Sequence, residues 1–146
     1  MPIRSPVRGA LLLVALLASS APGAAVTPAY RGPDLSGTYV CTGHDHQDGP
    51  YTGTVTLALL RTRSTGAQAS YDFRLDVPGY GSYPGHAATQ GRHMAISFAN
   101  TDPTTHDYGT GIARFHRQHG KWAFDKFYHE PEYKGGNFGT EHCVQR

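Results

Sequence analysis

The sequence predicts an all-β protein, an eight-stranded antiparallel up-and-down barrel. Short runs in which apolar and polar residues alternate recur about eight times along the chain, separated by Gly-, Pro-, Asn- and Asp-bearing turns. No segment carries a sustained apolar stripe of helical period, so no long helix is expected. A single pair of cysteines, Cys41 and Cys143, falls in the first and last of the runs. Closure of an up-and-down barrel makes the first and last strands neighbours, which suits a bridge between them. A β-sandwich is the alternative arrangement of the same strands.

Arg4 and Arg8 precede an apolar run, Ala10–Ala18, and small residues with a proline follow to Ala25. This is the pattern of a secretory signal peptide over residues 1–25, with an apolar centre too short to span a membrane. Residues 26–33 lack periodicity and are expected to form a flexible lead-in, leaving 34–146 as one domain. Ser36–Thr42 is rich in strand formers, and His44–Pro50 reads as a polar loop. In Tyr51–Arg61, Val55, Leu57 and Leu59 share one face. In Ala69–Val77, Tyr71, Phe73 and Leu75 oppose Asp72, Arg74 and Asp76, the clearest strand pattern in the chain. Pro78–Gly85 reads as a loop and His86–Gln90 as a short strand. Arg92–Phe98, Tyr108–Arg117, Lys121–His129 and Asn137–Val144 complete the set, with His119-Gly120 as a hairpin turn.

The two arginines of the leader account for the whole formal charge of +2, so the remainder is neutral with neutral histidines. Neutrality without a basic run excludes nucleic acid as a partner, because that binding rests on clustered Lys and Arg. An even cysteine pair in an exported chain reads as a disulfide. Closing a loop of about 100 residues stabilises by roughly 4–5 kcal/mol in the chain-entropy account. Together these features place the protein in the periplasm or outside the cell.

Asp34-Leu35-Ser36-Gly37-Thr38-Tyr39 looks like the glycine-plus-aromatic opening strand of the calycins, the lipocalin and avidin type of meander barrel, with Tyr39 where that family usually has tryptophan. Gly109-Thr110-Gly111-Ile112-Ala113 followed by His119-Gly120-Lys121-Trp122 is similar to a late avidin-type hairpin. The resemblance implies the architecture and carries no functional residue with it. Biotin is not implied, because avidin pockets use several tryptophans and this chain has only Trp122.

Four features suggest chemistry. His44-Asp45-His46 offers two imidazoles on one side of an extended segment, a candidate zinc site needing a third ligand such as His106 or Asp107. The loop Pro78–Gly85 carries Tyr80 and Tyr83 as candidate gating aromatics. Glu130–Glu141 holds the acids Glu130 and Glu132 near Lys134 and Asn137, a pattern open to acid–base work. Nine tyrosines, six phenylalanines and one tryptophan give enough aromatic surface to line a cavity, with Tyr71, Phe73, Phe98 and Trp122 as candidate lining residues. No G-x-S-x-G or H-E-x-x-H motif is present. The expected function is therefore non-enzymatic binding of a small, partly apolar ligand at the barrel mouth. The alternative is a protein-binding module, an exported inhibitor or immunity-type protein, acting through the loops at 44–50 and 78–85.

Overall fold

The computed structural model describes residues 26–146, so the signal-peptide expectation lies outside the described residues. Eight strands, β1 (Gly37–Asp45), β2 (Gly49–Leu59), β3 (Gln68–Val77), β4 (Gly81–Gln90), β5 (His93–Ala99), β6 (Tyr108–Gln118), β7 (Lys121–Glu130) and β8 (Asn137–Gln145), form one closed barrel. Each pairs antiparallel with its sequence neighbour, and β8 pairs back onto β1. The arrangement is a barrel and not a sandwich. Cys41 stands directly opposite Cys143 across the β1–β8 seam, and the two form a disulfide with a Cα–Cα distance of 4.1 Å.

The period-two pattern sets which side chains point inward. Along β3, Ala69, Tyr71, Phe73, Leu75 and Val77 are buried while their neighbours are wholly or partly exposed. Met94, Ile96 and Phe98 do the same on β5, and Phe124, Lys126, Tyr128 and Glu130 on β7. The His119-Gly120 turn forms as expected: both residues have positive φ, 48° and 80°, and link β6 directly to β7.

Two expected loops are largely strand. His44 and Asp45 end β1 and Gly49 begins β2, so the loop expected at 44–50 shrinks to three residues. Gly81–Gly85, expected to be loop, is the first half of β4. Its glycine and proline mark something other than a turn. A Cβ on Gly85 would lie 1.9 Å from the carbonyl oxygen of Ser97 on β5, so only glycine permits this close strand approach. Pro84 is exposed and pairs only with Arg74 of β3, because the β4–β5 ladder starts at Gly85, and a missing N–H costs nothing there.

Up-and-down topology puts the connections at 46–48, 78–80, 100–107 and 131–136 at one end of the barrel, its mouth. The opposite end is plugged. The lead-in, expected to be flexible, is pinned there from Pro28 onward, whose carbonyl accepts from Thr65 Oγ1 (2.7 Å). Arg31 N donates to Gly66 O (2.8 Å), Tyr39 Oη donates to Leu35 O (2.8 Å), and Leu35 N donates to Tyr71 Oη (3.1 Å). Leu35 is fully buried, and the rings of Tyr39, Phe115 and Phe124 pack against one another edge-on or tilted, with centroids 4.8–6.1 Å apart. One half of the interior is thus a solid aromatic core.

Candidate functional site

The mouth half differs in kind. Asp45, Asp107, Lys126, Glu130, Asn137 and Glu141 are all buried there. Asp45, Asp107, Lys126 and Glu130 line a cavity of about 40 Å³ together with Asp48, Tyr51, Tyr80, Tyr83, Phe98, Tyr128 and Tyr133, and Asn137 and Glu141 hydrogen-bond or pair with these lining residues from behind. Buried charge is expensive unless paired and hydrogen-bonded, so each group must be accounted for.

Asp45 closes the β1–β2 hairpin. Its Oδ1 accepts from the backbone N–H groups of Gln47 and Asp48 at 2.8 and 2.9 Å, an Asx turn, while its Oδ2 accepts from Tyr128 Oη (2.9 Å) and Asn137 Nδ2 (2.7 Å). Asn137, the first residue of β8, uses the same nitrogen to donate to Glu130 Oε2 at 2.5 Å. Asp107 ends the β5–β6 connection. That connection is stiffened where Asp102 accepts from Thr104 N and where Asn100 N donates to Asp107 O at 2.7 Å. Tyr83 Oη donates to Asp107 Oδ2 (2.7 Å).

Deeper in, Lys126 Nζ pairs with Glu141 Oε2 at 2.5 Å, and both side chains are almost wholly removed from solvent. The ammonium also faces the rings of Phe73, Phe98 and Tyr128 at 5.3–5.7 Å, and Tyr51 Oη donates to Glu141 Oε1 (2.9 Å). At the rim, Tyr133 Oη donates to Asp48 Oδ2 (2.8 Å) and Lys134 pairs with the other Asp48 oxygen, which holds that carboxyl below its usual range.

Burial pushes the hydroxyls of Tyr51, Tyr83 and Tyr128 well above the ordinary tyrosine range. Glu130 is raised from 4.5 to about 8, first by burial and then by the nearby Asp107 carboxylate, against the opposing hydrogen bond from Asn137. A raised acid binds its proton more tightly in the folded than in the unfolded chain. Its stabilising contribution is complete below about pH 4.5 and is lost as pH climbs through about 8. The folded protein is therefore expected to lose on the order of a few kcal/mol between pH 5 and pH 8.5, and Glu130→Gln to remove that slope. Urea unfolding of both proteins at the two pH values checks this; equal slopes would refute it.

The residues expected from sequence to form the site divide between the two ends. Tyr80, Tyr83 and Phe98 line the mouth cavity. Tyr71 belongs to the plugged end, where it holds the lead-in. Trp122 sits there too, under the Arg117 guanidinium 3.8 Å from its ring centroid. Phe73 is buried behind Lys126 without lining the cavity. His44 is exposed on the outer face of β1, and His46 stacks on Phe138 with ring centroids 4.5 Å apart. Neither belongs to a cluster of three potential metal ligands among the described residues; the cluster found there is Cys41, Glu141 and Cys143, whose sulfurs are bonded to each other.

Sequence reasoning singles out Glu130, Asn137 and Asp107 for other roles and misses Asp45, Lys126 and Glu141 as members of one buried group. The signal that could have found them is parity: Asp45 follows the inward Tyr39, Cys41 and Gly43 on β1, Lys126 lies between the inward Phe124 and Tyr128 on β7, and Glu141 between the inward Gly139 and Cys143 on β8. No protein-family model, curated protein or solved structure matches this chain.

Proposed function

We propose that this protein is an exported, calycin-like binding barrel that takes a small, partly apolar ligand at its mouth. The observation that carries the reading is the tyrosine-ringed cavity over buried polar groups at one end of a barrel whose other end is solid. A volume of about 40 Å³ holds a few waters, or the head of a ligand whose body rests on the rim between Tyr80 and Tyr133. Tyrosines suit that rim, since they offer apolar area and a hydroxyl at low entropic cost. The disulfide supports an oxidising compartment, and no helix of the described residues is long and apolar enough to cross a membrane.

The test is amide chemical-shift mapping of the ¹⁵N-labelled protein against a panel of neutral, cationic and anionic small molecules. Binders are expected to move resonances at 45–51, 77–83, 106–108 and 128–137. Shifts confined to the outer face around Ile112 and Phe127, or no saturable shift with any compound, would overturn the reading.

A further inference from the structure

The chemistry of the ligand follows from what the mouth has left to offer. Apart from the exposed Tyr80 hydroxyl and the Glu130 carboxyl while it keeps its proton, its donors are already engaged. The hydroxyls of Tyr51, Tyr83, Tyr128 and Tyr133 are each given to a carboxylate: Glu141, Asp107, Asp45 and Asp48 in turn. The Asn137 amide nitrogen serves Asp45 and Glu130, which also fixes the orientation of that amide. Lys126 is held by Glu141 and Lys134 by Asp48.

What remains is acceptor. Asp107 Oδ1 and Asn137 Oδ1 are buried without an N–H or tyrosine hydroxyl partner, Asp107 lines the cavity, and the neighbouring Glu130 carboxyl can donate to Asp107 only while it keeps its proton. The buried charges are unbalanced as well: Asp45, Asp107 and Glu141 are set against Lys126 alone, and Glu130 adds a fourth negative charge once it ionises as pH climbs through about 8. A buried acceptor left unpaired is costly, and a ligand that donates to it recovers that cost.

We infer that the mouth binds a small organic cation, an alkyl- or arylalkyl-ammonium, whose N–H groups donate to Asp107 and whose positive charge sits among the tyrosine rings. The inference rests on the reading of the mouth as a ligand site and specifies its ligand. Tyr51, Tyr80, Tyr83, Phe98 and Tyr128 supply the π faces that favour a desolvated cation. A divalent metal fits less well, because it needs convergent oxygens, and the mouth acids form no cluster of three ligand atoms within 4.8 Å of one another among the described residues. An ammonium reaches separate acceptors with separate N–H bonds. Anions meet mostly acceptors and excess negative charge.

A cation entering beside Glu130 also makes its ionised form easier to hold. The groups facing it are Asp45 on β1, Tyr83 on β4, Asp107 before β6, Tyr128 on β7 and Asn137 on β8, with Tyr51 and Lys126 further in. All the mouth's acids gain from the added positive charge, so affinity for a cation rises as pH climbs toward 8.

The test titrates the protein with n-butylammonium, 1-butanol, butyrate and calcium chloride, reading the mouth amides by NMR at low ionic strength. Butylammonium is expected to saturate at least tenfold more tightly than 1-butanol, to bind more tightly at pH 8 than at pH 6, and to weaken at least tenfold in Asp107→Asn. Butyrate is expected not to bind. Equal binding of 1-butanol and butylammonium at the mouth overturns the cation assignment while the ligand-site reading stands. Saturation of the same amides by calcium at lower concentration than butylammonium overturns it in favour of a metal. Absence of mouth shifts with every probe overturns both. The comparison among probes uses the unsubstituted protein and so does not depend on any variant folding.

Discussion

Cys41→Ala combined with Cys143→Ala is expected to cost about 4–5 kcal/mol, a large share of the roughly 5–15 kcal/mol that separates a folded domain from its unfolded chain. The disulfide spans 102 residues, so its absence frees nearly the whole domain in the unfolded ensemble. It also lies on the seam where β1 meets β8, the one strand pairing in the barrel not brought together by a local turn. Every other ladder joins strands adjacent in sequence. Losing the cross-link therefore acts where closure is entropically hardest. For a domain of this size the expected fall in Tm is roughly 15–20 °C. Urea unfolding of the oxidised protein and the double variant measures the difference; a cost below about 1 kcal/mol would show that the strand ladder alone secures the seam.

Lys126→Met is expected to destabilise by about 3–5 kcal/mol, because it strands the Glu141 carboxylate in the interior without its counter-charge. The methionine fills much of the lysine's volume, so little of the loss reflects a cavity. Adding Glu141→Gln should return most of it. The glutamine carbonyl still accepts from Tyr51 Oη, and no uncompensated charge remains. The double variant recovering at least half the loss supports this account. Equal instability of single and double variants would show that Lys126 matters through packing against Phe73, Phe98 and Tyr128.

Alternation makes the barrel legible from sequence. Val55-x-Leu57-x-Leu59 and Tyr71-x-Phe73-x-Leu75 each declare an inner face, and the cysteine pair declares which strands close the ring. The β4 strand is obscured by Gly81, Pro84 and Gly85. Composition treats such residues as turn formers, and the close approach of Ser97 O that demands Gly85 exists only once β5 is in place. The mouth is legible in part. Tyr80 and Tyr83 stand out by their setting, while Asp45, Lys126 and Glu141 look like ordinary solvated charges. Local pattern assigns them to the inner face, but their partners are not local: Lys126 meets Glu141 across the β7–β8 ladder, and Asp45 on β1 meets Tyr128 and Asn137, 83 and 92 residues away. Inward parity does not say how far along the axis a side chain lies, which is why Tyr71 and Trp122, plausible as cavity lining, fall at the plugged end.

The plug has a practical corollary. The segment from Pro28 enters the fold at the solid pole, and Arg146 leaves β8 at that same pole, its backbone nitrogen bonded to Thr38 O at 2.9 Å. A fusion partner or a surface linker attached at either tail would hold the molecule upright, with the cup facing bulk solution and its entrance unobstructed.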